Sequence, residues 1–383
     1  LDYSILKNKI EKKEYKALSC AVVYGPNAAG KTNIIGAMQT FKNIVLRGNI
    51  KNDSSINSSN AADYALELIP NNTLTESKNV FFSIKFIHKE VAIKYSISLD
   101  LGMFLETEKD RSVVEEVFEI NEKELFHRRD DNLLLHNLNY FESNLMSNSK
   151  KDFNIIYSIT KKSLKKDELF LMNGFRTIVS SDFAELVYDY FTNYFTTIYH
   201  ADSVAMRPVF DSKSLVDKYI NEAAIEFGIN SNKLVYVKGK KADLPPVLCS
   251  IMPNKKLVPS DLFESYGTVR FVNIFPILVK VLKKGATLVI DEFDSSIHPS
   301  AIMEIINIFH NDEININHAQ LIFNTHNPLY LNNNLFRRDE IKFIDRDDET
   351  KCSRHYSLSD FGTKGTNARK GKDYMNNYFM DEY

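Results

Sequence analysis

The sequence contains no tryptophan and only three cysteines, and its 13 glycines are few for 383 residues. The cysteines (Cys20, Cys249 and Cys352) lie far apart and form no CxxC pair or metal-ligand cluster, which is typical of a reducing compartment. No apolar run approaches the roughly 18 residues of a membrane-spanning helix. We therefore expect a cytoplasmic protein without a membrane partner. Because the sequence begins at Leu1 instead of Met, we expect its natural start to lie upstream.

Neither sign of charge is in excess. The 48 lysines and arginines nearly balance the 50 acidic residues, and the formal net charge is -2. This balance excludes a global field that attracts nucleic acid, so DNA binding would need a local basic patch. Such lysine clusters are more often solvated surface. The candidate clusters are Lys161-Lys162, Lys165-Lys166, Lys238–Lys241 and Lys364–Lys372.

A glycine-rich turn connects a predicted buried strand to a predicted helix. It matches the pattern GxxxxGK[ST] at Gly25, Gly30, Lys31 and Thr32. Glycines let backbone N–H groups curl around an anion, and the helix points its positive end at that anion. We expect Lys31 to reach the β- and γ-phosphates as a catalytic residue, and Thr32 to bind Mg²⁺. The predicted ATP-binding residues of this turn are Gly25, Pro26, Asn27, Ala28, Ala29, Gly30, Lys31, Thr32 and Asn33.

Two acidic residues follow a second buried strand. The mostly apolar residues 286–290 predict a parallel strand, and Asp291 and Glu292 stand at its carboxyl end, where ligands bind in open α/β sheets. We expect Asp291 to hold Mg²⁺ directly or through water, and Glu292 to polarise the attacking water. A strand that ends in Asp-Glu is a weak signal alone, but a phosphate-binding loop in the same chain makes it strong.

Two further segments place polar residues at the ends of predicted elements. Ser265 and Gly267 precede a helix at 269–284, where they can bind an anion or simply cap the helix. His326 follows a strand at 320–324 that we expect at the same sheet edge as Asp291. That position favours a catalytic role for His326 over a structural one.

The order of elements predicts an α/β fold, a P-loop NTPase whose mixed sheet is flanked by helices. Alternation from Val80 to about Arg128 predicts an antiparallel β-meander in the first lobe. Residues 150–230 predict helices, with a core-forming aromatic stretch from Phe183 to Tyr199. We divide the chain into a first ATPase lobe (1–149), a helical insertion (150–232) and a second ATPase lobe (233–383).

The motifs in this order resemble the ABC-type ATPase head, a group that includes SMC proteins, RecF and OLD-family ATPases. The resemblance implies a head-to-tail homodimer or larger homo-oligomer, in which Ser265 and Gly267 of one copy contact the γ-phosphate held by another. It implies that residues 294–296 form the D-loop across that interface. It also implies that His326 senses the γ-phosphate.

Longer phrases are similar to stand-alone OLD-like ATPases of bacterial phage defence, including ATPase subunits of PARIS and Septu systems and abortive-infection ATPases. These phrases are residues 23–33, 264–268, 288–299, 320–327 and 335–344. The resemblance implies a Mg²⁺-dependent ATPase that acts as the sensor of a defence complex. A separate toxic effector, a nuclease, would be its partner, and DNA or a phage protein would be its trigger.

The sequence departs from the ABC pattern in two places. The signature at residues 265–268 reads Ser-Tyr-Gly-Thr instead of Leu-Ser-Gly-Gly. ABC heads carry a Q-loop glutamine, but the two glutamines of this chain, Gln39 and Gln320, are wrongly placed for that role. The residue that takes the role therefore stays open. The acidic cluster at 345–348 superficially resembles the acidic pair of a Toprim nuclease, but a hairpin turn is favoured, so we expect no nuclease activity in this chain.

Two other functions remain open from the sequence. A RecF-like DNA maintenance ATPase would show hydrolysis that DNA stimulates. A nucleotide-gated scaffold would sequester a toxin and hardly turn ATP over. Turnover measured with and without DNA distinguishes these possibilities.

Overall fold

The computed structural model describes residues 5–10, 12–51, 78–103, 110–145, 158, 162, 164–199, 218–228, 233–237, 247–361 and 374–379. Its strands are β1 (Ile5–Ile10), β2 (Lys13–Leu18), β3 (Cys20–Tyr24), β4 (Val80–His88), β5 (Val91–Asp100), β6 (Ser112–Ile120), β7 (Lys123–Arg129), β8 (Asn132–Leu135), β9 (Phe195–Ile198), β10 (Lys233–Val237), β11 (Val247–Ile251), β12 (Leu257–Pro259), β13 (Thr287–Ile290), β14 (Gln320–Asn324), β15 (Ile341–Arg346) and β16 (Ser353–Ser357).

The α-helices are α1 (Lys31–Arg47), α2 (Ser181–Asp189), α3 (Lys218–Glu226), α4 (Tyr266–Lys284), α5 (Pro299–His310) and α6 (Tyr374–Phe379). Leu171–Val179 and Tyr190–Tyr194 are π-helical, and short 3₁₀ turns are formed by Leu138–Asn144, Ser260–Leu262, Pro328–Tyr330 and Leu358–Asp360. Within the described ranges, none of the helices combines the length and apolar character that a bilayer crossing requires.

A six-stranded mixed sheet forms the centre of the fold, in the order β16-β15-β3-β14-β13-β9. All neighbouring pairs are parallel except β15 and β16. The carboxyl ends of β3, β14, β13 and β9 therefore meet at one edge. The predicted α/β fold with a mixed sheet is confirmed, and so are the strands and helices on which the site residues were placed.

Alternate residues of β13 face opposite sides of the central sheet. Leu288 and Ile290 belong to the apolar core that α4 and α5 cover. Val289 lies in the other core, with α1, the meander and α2. Because both faces are buried, the strand is apolar without polar alternation, as expected for a central parallel strand.

The predicted meander is a separate five-stranded antiparallel sheet in the order β4-β5-β6-β7-β8. It packs on α1, where the rings of Phe41 and Phe82 stack with centroids 5.3 Å apart. Glu116 on β6 is fully buried and accepts hydrogen bonds from the backbone N–H groups of Phe170 and Leu171. These contacts join the sheet to the helical segment that follows it.

Among the described residues of 150–230, the helical prediction was wrong at residues 164–170, which are turns and a single β-bridge, and at Phe195–Ile198, which form strand β9 at the edge of the central sheet. Two adjacent threonines and an isoleucine make this segment favour strand over helix. The core prediction for the aromatic stretch is confirmed at Phe183, Tyr190, Phe191 and Phe195, which are buried. The division at residues 149/150 and 232/233 stays a prediction.

Two smaller features also bear on the sequence predictions. The hairpin β1–β2 was missed. The acidic cluster at 345–348 lies where β15 turns into β16, and Asp347 accepts a hydrogen bond from the backbone N–H of Thr350 at 2.8 Å. This geometry confirms the predicted turn.

Candidate functional site

The phosphate-binding loop joins β3 to α1, as predicted. Gly25 and Gly30 have φ angles of 158° and 111°, which side chains rarely tolerate. A Cβ on Gly25 would also lie 2.2 Å from the carbonyl oxygen of Ile344. Gly30 is the N-cap of α1. Because glycine has no side chain that could accept hydrogen bonds from the first N–H groups of the helix, these groups can bind an anion.

Lys31 is folded back into the loop. Its Nζ donates hydrogen bonds to the carbonyl oxygens of Gly25 at 2.6 Å and Pro26 at 2.9 Å. Burial lowers the pKa of Lys31, while the negative charges of Glu292 and Asp291 act in the opposite direction. The lysine is therefore placed within the electrostatic reach of both acids of the candidate site.

Thr32 and Asp291 meet where α1 and β13 present their ends. The Thr32 hydroxyl donates to Oδ1 of the buried Asp291 at 3.2 Å. One hydroxyl and one carboxylate, both hard oxygen ligands, suit Mg²⁺, which usually takes few protein ligands beside phosphate and water. The residues present therefore fit a Mg²⁺–nucleotide group, with Thr32 and Asp291 on the cation and the N-terminus of α1 on the phosphates.

Glu292 is held through its backbone while its side chain remains exposed. Its N–H donates to Oδ1 of Asn324 at 2.6 Å, and its carbonyl oxygen accepts a hydrogen bond from Nη2 of Arg270 at 2.5 Å. Its φ angle is 45°, a left-handed conformation that is uncommon for residues other than glycine. Two partners that fix the backbone in an unfavourable conformation are typical of a functional position.

The residues after β14 lie beside this turn. Asn324 and Thr325 are buried, whereas His326 is exposed. The Thr325 hydroxyl donates to Oδ2 of Asp294 at 2.7 Å. Burial raises the pKa of Asp294, and the Thr325 hydrogen bond and the nearby charges of His326 and Arg270 oppose that shift. His326 therefore lies near the segment after Glu292, at the predicted edge of the sheet.

Ser265 caps α4, since its Oγ accepts a hydrogen bond from the N–H of Thr268 at 3.1 Å. The prediction that Ser265 caps the helix is thus confirmed. Its side chain is also exposed, so a second molecule can reach it. Gly267 lies against the carbonyl oxygen of Ser296, to which an added Cβ would be only 1.9 Å. The two segments that the ABC resemblance assigns to the signature and the D-loop are therefore in contact within one chain.

Several residues near the site were not predicted from the sequence. Asn324 and Arg270 hold Glu292, and Ser353 of β16 donates from Oγ to the carbonyl oxygen of Ala29 in the phosphate-binding loop at 2.6 Å. A polar residue at the end of an apolar strand is the one signal that pointed to Asn324. Gln39 and Gln320 bind Asn43 and the Leu18 carbonyl oxygen, respectively, away from these residues.

A family model described as "AAA domain, putative AbiEii toxin, Type IV TA system" matches residues 20–332, which include all the predicted site residues from Gly25 to His326. The chain belongs to this family. The description names an AAA domain, so ATP binding is the expected activity of the phosphate-binding loop at residues 25–33. No curated protein matches this chain significantly.

Solved structures with similar folds include SMC head domains. The head domain from Thermotoga maritima is 12% identical, with 92% of this chain and 96% of that chain covered and a TM-score of 0.39. A Pyrococcus furiosus Smc head domain, bound to the C-terminal domain of ScpA, is also 12% identical, with 92% and 95% covered and a TM-score of 0.35.

Proposed function

We propose that this chain is a Mg²⁺-dependent ATPase of the ABC type. The observation that carries this proposal is the hydrogen-bonded chain from Thr32 through Asp291 and Asn324 to Glu292. It connects the helix that follows the phosphate-binding loop to the acid that ends β13. A structural strand end would not need a buried carboxylate, an amide and a hydroxyl directed at one another.

The chemistry divides among the residues as follows. The N-terminus of α1 and Lys31 bind the phosphates. Bound Mg²⁺, held by Thr32 and Asp291, would neutralise charge on the β- and γ-phosphate oxygens. Glu292 accepts a proton from water as that water attacks the γ-phosphorus, the bond to the β–γ bridging oxygen breaks, and ADP and phosphate leave.

A second copy of the chain is the proposed partner at this site. Ser265 is exposed, and large apolar side chains on the same stretch are exposed as well: Leu262 by 70%, Phe263 by 56% and Tyr266 by 43%. Apolar side chains grouped beside an exposed polar motif favour a protein interface. In such a head-to-tail dimer, Ser265 and Gly267 would contact the γ-phosphate of the other copy, and His326 would sense it.

The biological role that we propose is control of a toxic effector in bacterial anti-phage defence. The family description supports a toxin–antitoxin setting. The γ-phosphate is a ligand present in one nucleotide state and absent in the other, so it can bias an interface between two arrangements. The proposed partner is a separate nuclease or toxin, and the proposed trigger is DNA or a phage protein.

A DNA maintenance ATPase is the second candidate. The observation that favours it is the set of exposed lysines on the hairpin β1–β2, including Lys7, Lys9 and Lys12. The lysine clusters predicted from the sequence give less support, because Lys238–Lys241 and Lys364–Lys372 lie outside the described residues and Lys165 pairs with Glu168 at 2.7 Å.

The test is ATP turnover by the purified protein, with and without double-stranded DNA. Glu292→Gln removes the proposed base, and Glu304→Gln, on an exposed position of α5, makes the same chemical change elsewhere. We expect Glu292→Gln to lose at least about 100-fold in turnover and Glu304→Gln to match the wild type. Equal turnover by the two variants would contradict the proposal, and strong stimulation by DNA would favour the second candidate.

A further inference from the structure

Tyr199 lies at the candidate site although none of the motifs includes it. It directly follows β9, which pairs in parallel with β13 so that Ile198 is opposite Ile290. The N–H of Asp291 donates to the carbonyl oxygen of Ile198 at 2.9 Å. Tyr199 and Asp291 are therefore the residues that leave two neighbouring strands at the same edge.

The ring of Tyr199 also contacts the helix of the phosphate-binding loop. A Cβ built on Gly36 would lie 3.0 Å from Cε2 of Tyr199 and 3.3 Å from both Cζ and the hydroxyl oxygen. Gly36 is four residues after Thr32, so the two share one face of α1. Glycine inside a helix costs about 1 kcal/mol relative to alanine, and here the missing Cβ makes room for the hydroxyl end of the ring.

Tyr199 therefore lies beside the pair of residues that would bind the cation. Thr32 and Asp291 are in contact at 3.2 Å, the ring of Tyr199 packs on the helix of Thr32, and the residue before Tyr199 is hydrogen-bonded to Asp291. A phenolic hydroxyl can donate a hydrogen bond, and the hydroxyl end of Tyr199 lies against α1 on the face that carries Thr32.

We propose that Tyr199 is a positioning residue of this site, whose hydroxyl donates a hydrogen bond to the Mg²⁺–nucleotide group that Thr32 and Asp291 bind. This proposal rests on the proposed ATPase function. It places a polar side chain directly after the edge strand β9, beside Asp291. A hydroxyl at this position can orient the cation and the γ-phosphate together.

The experiment compares Tyr199→Phe with Tyr194→Phe, a matched control that removes a hydroxyl from a half-buried tyrosine just before β9. For each protein, calorimetry gives the affinity for a non-hydrolysable ATP analogue with and without Mg²⁺. Turnover of ATP is measured in parallel. Without Mg²⁺, we expect Tyr199→Phe to bind the analogue as tightly as the wild type does. With Mg²⁺, its affinity should be about tenfold weaker than that of the wild type, and its kcat should be about tenfold lower. Tyr194→Phe should match the wild type.

Two results would overturn the proposal. If Mg²⁺ tightens analogue binding equally in Tyr199→Phe and the wild type, the ring only packs on Gly36. If Tyr199→Phe loses as much affinity without Mg²⁺ as with it, the substitution has distorted the phosphate-binding loop. A wild type that binds the analogue but does not hydrolyse ATP would contradict the proposed function alone, since the Mg²⁺ comparison still decides the role of Tyr199.

Discussion

Nδ2 of Asn324 donates a hydrogen bond to Oδ1 of Asp291 at 2.5 Å, and Oδ1 of the same Asn324 accepts the N–H of Glu292 at 2.6 Å. One buried amide thereby orients both acids that end β13. The amide has a donor on one side and an acceptor on the other, so neither an aspartate nor a leucine can replace both contacts.

The first prediction concerns this amide. Asn324→Ala should lower kcat by about 10- to 100-fold, because Asp291 loses its orienting donor and the Glu292 N–H loses its acceptor. Stability should fall by about 1–3 kcal/mol, since polar groups are left buried and unpaired. Steady-state kinetics and urea unfolding measure the two effects. Asn334→Ala, at an exposed position, is the control, and equal kcat values for the two variants would contradict this role for Asn324.

The second prediction concerns Gly267, whose Cα lies against the Ser296 carbonyl oxygen. Gly267→Ala should push α4 away from residues 294–296, which costs about 1–3 kcal/mol of stability and reduces ATP turnover. Gly228→Ala is the comparison, because an added Cβ there meets nothing within 4 Å, so its cost comes from the φ of 73° alone. Gly267→Ala should lower the melting temperature and the ATP turnover more than Gly228→Ala does. A larger effect of Gly228→Ala would show that the contact between Gly267 and Ser296 is loose.

The third prediction concerns Asp189 on α2. Hydrogen bonds from Lys89, and then from His88, hold the pKa of Asp189 well below its usual range. A carboxyl with a depressed folded-state pKa stabilises the fold above its unfolded pKa of 3.8, and this stability is lost as the pH falls through the folded value. The side chain is partly exposed, so the contribution is on the order of 0.5 kcal/mol.

Unfolding followed from pH 7 to pH 2 tests the Asp189 prediction. Asp189→Asn should be less stable than the wild type at neutral pH and should approach it below about pH 3. Asp131→Asn, at an exposed position in the turn between β7 and β8, should follow the wild-type curve throughout. A stability difference that stays constant with pH would mean that Asp189 acts through packing and not through its charge.

The fourth prediction concerns Glu116, the buried carboxylate that joins the meander to residues 170–171. Burial raises its pKa, against which Arg128 and the N–H donors act. Glu116→Ala should destabilise the protein by about 3 kcal/mol, because it leaves the buried charge of Arg128 without its carboxylate partner and two backbone N–H groups without their acceptor. Glu115→Ala, a partly exposed neighbour on β6, should cost much less. Similar denaturation midpoints for the two variants would contradict the account.

The residues of the phosphate-binding loop and the Asp291–Glu292 pair were predictable because each motif is local. A strand, a turn and a helix follow one another in sequence, so spacing alone places Lys31, Thr32 and Asp291. The same reasoning placed β14 and therefore His326, whose position at the strand end depends only on the strand that precedes it.

Tyr199 and Arg270 could not be placed in this way. Tyr199 reaches the site because β9, four residues long, pairs with a strand that begins 92 positions later in the chain (Thr287 against Phe195). Such pairing depends on the assembled sheet, and helical periodicity in the aromatic stretch before it suggested a helix. Arg270 lies on a helix whose buried face is mostly apolar, and nothing in the neighbouring sequence indicates that its side chain contacts the backbone of Glu292.

The central claim is that ATP is hydrolysed at a site that two copies of the chain complete together. The most direct measurement is turnover by a co-expressed mixture of Glu292→Gln and Ser265→Arg chains, each of which should be inactive alone. In a mixed dimer, the intact Glu292 of one copy meets the intact Ser265 of the other, so one site of two is restored. We expect the mixture to recover about one quarter of wild-type turnover, because about half of randomly formed dimers are mixed. A mixture as inactive as its two components would contradict the account.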